Sequence, residues 1–450
     1  MNTTLKHTVI AAAVACGAIA ATHSAAAPQT AQAAVTEHRS VAAFKAIELA
    51  GPYHVVIHAQ GAASVDVAGR ANDVADLETV VVGDTLIVRP RSKGGFHFSF
   101  GRRHDYPVVN ISVPQLRSLS AAGSGDVELD QVAGDSFTLT SNGPGDVRAA
   151  GAVHDLQVAS HGSGDLDLHD LKAVNGNLRM SGPGEVSLAG LTGDLTAEVS
   201  GSGDLSADGL RIGKLSATLR GPGNAKLDGS VRDARVEVSG SGDLEACGLA
   251  ADTVNAVLRG PGSACLGGTL KKLDLEVRGS GDFEHRALRA SSTRVVLSGP
   301  GGAKLSGTTG SLNAEVSGSG DLDADGLEVG VATVRARGPG SVTLARVTDS
   351  LDAEVHGSGE LAAALSAKSL VLKLDGPADA RLHGAVDRLS AQLNGSGNLD
   401  APGLVATSAE VSVHGPGEAR INTKYRPDAK APVGARVVMY DRQGAHPANP

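Results

Sequence analysis

Tryptophan is absent from this 450-residue chain, which carries only six phenylalanines and four tyrosines. Length alone suggests about three domains, and ten aromatics are too few to centre that many ordinary cores. Cysteine is almost as scarce: there are three, and Cys16 falls in an N-terminal leader. The other two, Cys247 and Cys265, cannot make a disulfide framework. A basic excess is missing as well, since 40 Lys and Arg face 49 Asp and Glu. That balance speaks against nucleic acid as a partner. No apolar run after the leader approaches the roughly 18–20 residues that cross a bilayer as a helix, so no transmembrane segment is expected once a signal is removed. There is no Gly-X-Y period, which excludes collagen, and 59 Gly with 18 Pro stay below a low-complexity composition. The 41% of hydrophobic residues are mostly Ala, Val and Leu. Small residues in such numbers suit a thin, extended core.

Residues 1–34 read as a secretory signal peptide. Lys6 and His7 give a short basic start, Thr8 to Ala21 is apolar, and small-residue cleavage sites end at Ala26 or Ala33. Cys16 offers a second option, a lipoprotein leader acylated on the thiol, but Ala13-Val14-Ala15 before it is a poor match to that signal. The expected location is therefore outside the cytoplasm, in the periplasm or at the cell surface.

From residue 123 the sequence is one repeat. Triplets begin at Gly123, Gly143, Gly162, Gly182, Gly201, Gly221, Gly240, Gly260, Gly279, Gly299, Gly318, Gly338, Gly357, Gly376, Gly395 and Gly415. They are spaced by 19 or 20 residues, and the middle residue alternates Ser and Pro through all sixteen; only Ala378 replaces a second glycine. A short fixed period of this kind marks a solenoid, in which each unit buries its apolar edge on its neighbours. Between triplets, as in Leu195 to Ala207, apolar residues and glycines take every second position. Period two means strand, and a helical repeat does not fit. The fold expected is all-β: a single-stranded, right-handed parallel β-helix of about sixteen coils with three short strands each. At about 4.8 Å per coil the rod would be roughly 75–80 Å long. Glycines of the triplets are expected to turn corners where no side chain fits, or to take positive φ. The division is then 1–34 leader, 35–122 an N-terminal β cap with the first irregular coils, 123–420 the helix proper, and 421–450 a C-terminal cap strand near Ala435 to Tyr440 with a tail.

Taken together, Phe44-Lys45-Ala46-Ile47-Glu48-Leu49, Val55-Val56-Ile57, Val108 to Leu116 and the Gly123-Ser124-Gly125-Asp126 coils resemble the GIN-head family of autotransporter adhesin heads. The resemblance covers nearly the whole chain after the leader. It implies an exported β-helical protein, adhesive or envelope-associated, with no catalytic residues to carry over. No translocator barrel is expected in this chain, because no run of roughly 10-residue alternating strands with aromatic girdles follows the repeats.

Two surfaces stand out as candidate sites. The residue after each triplet is acidic in the first five coils: Asp126, Asp146, Asp165, Glu185 and Asp204. A column of carboxylates one coil apart reads either as a set of hydrogen-bond acceptors for corner backbone or as Ca²⁺ ligands, the only cofactor the sequence brings into question. The second surface is the stretch with Arg91, Phe96, Phe98, Phe100, Arg102 and Arg103. It reads as a hairpin closing the N-terminal edge, or as a contact patch for an envelope polymer or a surface protein. Cys247 and Cys265 lie on adjacent coils two positions out of step, about 8 Å apart, so free thiols are expected unless a corner shifts the register. The histidines are scattered, and no metal site is expected from them. Coils this uniform leave almost no loop from which to build a cleft. The reading is an exported, non-catalytic adhesin-like or envelope protein; a carbohydrate-active enzyme and a calcium-dependent binding module are the alternatives.

Overall fold

A computed structural model describes residues 34–91, 106–424, 428–430, 436–441 and 444–447. The leader, with Cys16, lies outside the described residues. Among those described, no helix is long and apolar enough to cross a membrane.

The molecule is a parallel β-solenoid of about sixteen turns, as the repeat requires. In the coil Leu205–Leu219 residues alternate between buried and solvent-facing sides, and the strand pairs in parallel with the next coil, Ala225–Val238. The inward residues stack one above another, as in Leu195, Leu215, Ala234, Val254 and Leu273, and form one continuous aliphatic core. Each fully buried Leu or Val contributes about 1.5–3 kcal/mol. Small residues suffice because every side chain needs to reach only a rod's narrow axis.

Two details differ from the expectation. A regular coil is not three separate strands but one bent strand of 14 to 16 residues, interrupted only at the glycine triplet. Its second corner is a bulge rather than a break. Pairing shifts by one residue between Ala207 and Leu210, and again between Lys226 and Asp228. Coils that follow Gly-Ser-Gly, such as Leu205–Leu219, carry the extra residue, and coils that follow Gly-Pro-Gly, such as Ala225–Val238, lack it; the coil after Gly357 is the exception, reaching Gly376 in 19 residues without a register shift. Up to Gly357 the alternation of triplets and the alternation of 19 and 20 are therefore one feature. The extra residue is left-handed at Gly209 (φ 63) and, without glycine's freedom, at Ala287 (φ 63).

The triplet glycines owe their identity to a close approach. A Cβ on Gly162 would lie inside the carbonyl oxygen of Gly143, and one on Gly164 inside that of Gly145. Gly164 N donates to Gly143 O at 3.3 Å, so the corners stack directly along the rod. Most of these glycines have ordinary φ; positive values appear only at Gly357, Gly376, Gly395 and Gly415.

The elements before the first triplet do not stack in chain order. The elements are β1 (Ala34–Arg39), β2 (Ala46–Leu49), β3 (His54–His58), β4 (Ser64–Arg70), α1 (Ala71–Ala75), β5 (Leu77–Val82), β6 (Thr85–Pro90), β7 (Val108–Ser112), β8 (Ser118–Ala121) and β9 (Val127–Ser141). The β2/β3 pair stacks in parallel on β8/β9, with Ser124 N donating to Gly51 O at 3.1 Å. Gly51-Pro52-Tyr53 thus occupies the corner below the first triplet, 72 residues earlier in sequence. The β6/β7 pair forms the tier on the other side of β2/β3. Antiparallel β5 and β4 close that tier, and β1 pairs with β4. Arg39 donates to the carbonyls of Leu77 and Val74, both at 2.7 Å, and fixes β1 to the start of β5. At the other end Arg436–Asp441 pairs in parallel with Glu418–Thr423 and antiparallel with Gly444–Pro447.

Candidate functional site

The acidic column lies where the sequence puts it, on the exposed side of the coils just after each triplet. Its side chains form a ladder along the rod. Asp126 Oδ1 accepts from the amide of Asp146 (3.2 Å), Asp146 Oδ1 from Asp165 (2.8 Å), and Asp165 Oδ1 from Glu185 (2.8 Å). Further on, Asp204 accepts from Asn224, Asn224 from Asp243, and Asp243 from Ser263, at 2.8, 2.9 and 2.7 Å. The donor is the same position one coil on, not the residue's own turn. A short Asp, Asn or Ser spans that gap, whereas no such bond leaves Glu185 or Gly302. This ladder supplies the acceptor role weighed for the column.

Of the basic and aromatic stretch, Arg91 is exposed at the end of β6, with its amide donating to Asp76 O at 2.7 Å. Phe96, Phe98, Phe100, Arg102 and Arg103 lie outside the described residues.

Cys247 and Cys265 correct the expectation of free thiols. They are joined in a disulfide with Cα atoms 5.2 Å apart, not about 8 Å. The ladder pairs Cys265 with Glu245, as a straight register would, but the bulge that follows Ala246 turns Cys247 towards the next coil. On that next coil the ladder is interrupted between Ala264–Leu266 and Lys272–Val277, and the bridge sits beside the gap.

The face carrying the short strand ends has two shallow depressions, both between the same two outward columns. One, about 630 Å³, includes Asp194, Lys214, Asp233, Arg235, Lys272 and Asp274 over a floor of Leu195, Leu215 and Val254. The other, about 450 Å³, lies between Ser369, Arg388 and Ser408 on one side and Val371, Ser390 and Glu410 on the other. A third, about 240 Å³ and strongly charged, lies near the C-terminal end between Asp379, Arg381, Asp400, Glu418 and Arg420.

One cluster was missed by the sequence reading. Glu354 and His356 point outward from the same strand, and Asp375 is the register partner of His356 on the following coil. His356 Nε2 lies 3.0 Å from Glu354 Oε1, and Nδ1 lies 2.9 Å from Asp375 Oδ2. Lys373 Nζ stands 3.1 Å from each of those carboxylate oxygens. Hydrogen bonds from Lys373 and His356 hold Glu354 below the usual carboxylate range. Burial pushes Asp375 up, yet bonds from Asn394 and Lys373 outweigh it and leave its carboxyl lowered. The signal was available: one coil length of 19 added to His356 gives Asp375.

No curated protein matches the chain. Among solved structures, a "putative lipid binding protein" from Parabacteroides distasonis is 18% identical, with a TM-score of 0.31 over 58% of this chain and 93% of that one. A "putative adhesin" from Bacteroides fragilis is also 18% identical, with a TM-score of 0.26 over 65% and 97%. Another "putative adhesin", from Parabacteroides merdae, is 17% identical, with a TM-score of 0.27 over 64% and 95%. A family model described as "Putative auto-transporter adhesin, head GIN domain" matches residues 43–228, 212–269, 266–364 and 355–442. The chain belongs to that family of GIN-domain adhesin heads.

Proposed function

We propose that the protein is an exported, non-catalytic rod whose outward faces bind an envelope polymer or a surface protein, as an adhesin-like or scaffold component. The observation that carries this reading is the uniformity of the coils. Each coil closes on the next through backbone ladders, and the chain between triplets is spent almost wholly on strand. Such coils provide long columns of short polar and charged side chains, suited to an extended partner. The two lengthwise depressions, with Asp194, Lys214, Asp233 and Lys272 alternating in sign, fit contact spread over several coils better than a single reacting centre. The Cys247–Cys265 bridge supports export, because disulfides persist in oxidising compartments.

The enzyme alternative would place its chemistry in the charged depression at Asp379, Asp400 and Glu418. There Glu418 already pairs with Arg420 at 3.2 Å, and Asp379 accepts the amide of Asn398 at 2.9 Å. The test is incubation of the full chain with immobilised envelope polysaccharides and with soluble acidic polysaccharides. Retention on the former without cleavage of the latter is expected. Turnover that disappears in Asp400→Asn would overturn the non-catalytic reading. For the calcium alternative, an unchanged melting temperature on adding millimolar Ca²⁺ after chelation is expected, and a rise of several degrees would restore it.

A further inference from the structure

We infer that Glu354, His356 and Asp375 form a binding site for one divalent first-row transition ion, with Zn²⁺ as its probe. Among the described residues this is the one group of three His, Cys, Asp or Glu side chains whose ligand atoms all lie within 4.8 Å of one another. Glu354 and His356 alternate on one strand with buried Val355 between them, so both leave the same face. Asp375 joins them because the parallel register sets it beside His356. The three side chains are 28%, 35% and 24% exposed, sheltered but open to an ion from solution.

The outer partners already orient the ligands. Arg335 Nε lies 3.3 Å from Glu354 Oε2, and Asn394 Nδ2 donates to Asp375 Oδ1 at 2.7 Å. Each carboxylate thus has one oxygen held from outside, and the other is turned to the space shared with His356. Such second partners fix ligand direction in metal sites. The Lys373 ammonium sits in that space, 3.1 Å from both free oxygens. It marks the point where the rod's side chains attract positive charge. A divalent ion with stronger bonds to both oxygens and to imidazole displaces it, and the flexible lysine stem swings into solvent.

The donor set selects the class of ion. One imidazole nitrogen with two carboxylate oxygens suits first-row ions such as Zn²⁺, while Ca²⁺ and Mg²⁺ prefer oxygen alone. Other histidine–carboxylate pairs, such as His58–Asp130 and His38–Asp66, hold a single carboxylate and gather no third ligand.

The experiment is calorimetric titration of the chelator-treated full chain with Zn²⁺, repeated on single variants whose melting curves match the parent. The expected result is one saturable site that disappears in His356→Ala and weakens about tenfold or more in Asn394→Ala. Lys373→Gln, which removes the competing ammonium, is expected to tighten binding several-fold. Lack of saturable binding overturns the inference, and so does binding of unchanged affinity and stoichiometry in His356→Ala. Weaker binding in Lys373→Gln overturns the competition and with it the site.

Discussion

Among the described residues His285 is the one buried imidazole of the core, 1% exposed, stacked between Leu266 and Leu305, with neither ring nitrogen hydrogen-bonded. Burial pushes its pKa from 6.5 down to about 4. The folded state therefore holds it neutral, while the unfolded chain takes up a proton below about pH 6.5. Its stability term is intact above pH 6.5 and is lost as pH falls towards 4, by about 3 kcal/mol in all. Denaturant unfolding at pH 7 and pH 4 is expected to show that loss in the parent and not in His285→Leu; equal losses in both would contradict it. Glycine gives the second prediction at this scale. Gly162→Ala places a Cβ against the backbone of Gly143 and is expected to cost about 3 kcal/mol, measured by chemical denaturation. The sequence made the position of each triplet glycine plain, but not the cause, since alternation shows which side a residue faces and not how near the neighbouring backbone comes. The same limit hid His356 and Asp375, adjacent in space and nineteen residues apart in the chain.

At the scale of elements, alternation and period were enough to read strands, coil length and a parallel stack. The second corner was not legible, because a bulge that keeps the ladder paired leaves only a one-residue change in spacing. That bulge also explains the cysteines: a straight register keeps Cys247 and Cys265 apart, and the corner brings them together. The bridge closes a short loop beside the gap between Ala264–Leu266 and Lys272–Val277. Reduction, or Cys247→Ser with Cys265→Ser, is expected to lower stability by about 3 kcal/mol. Amide hydrogen exchange should rise first in the coils around residues 244–277, and a uniform rise along the rod would contradict a local staple.

At the scale of the whole molecule, composition already gave the rod: Phe137 and Phe283 apart, the described aromatics lie in the N-terminal cap or the C-terminal strand, and the middle is filled by Leu, Val and Ala. The stacking of β6/β7, β2/β3 and β8/β9 out of chain order was beyond sequence periodicity, because pairing across 72 residues leaves no repeat to read. Family membership and the uniform coils are what the proposal of surface contact outside the cytoplasm rests on. The most direct measurement is fractionation of cells expressing the tagged chain, with thiol trapping at lysis. The protein is predicted beyond the cytoplasmic membrane with Cys247 and Cys265 oxidised. Recovery in the cytoplasm with both thiols free would contradict the account.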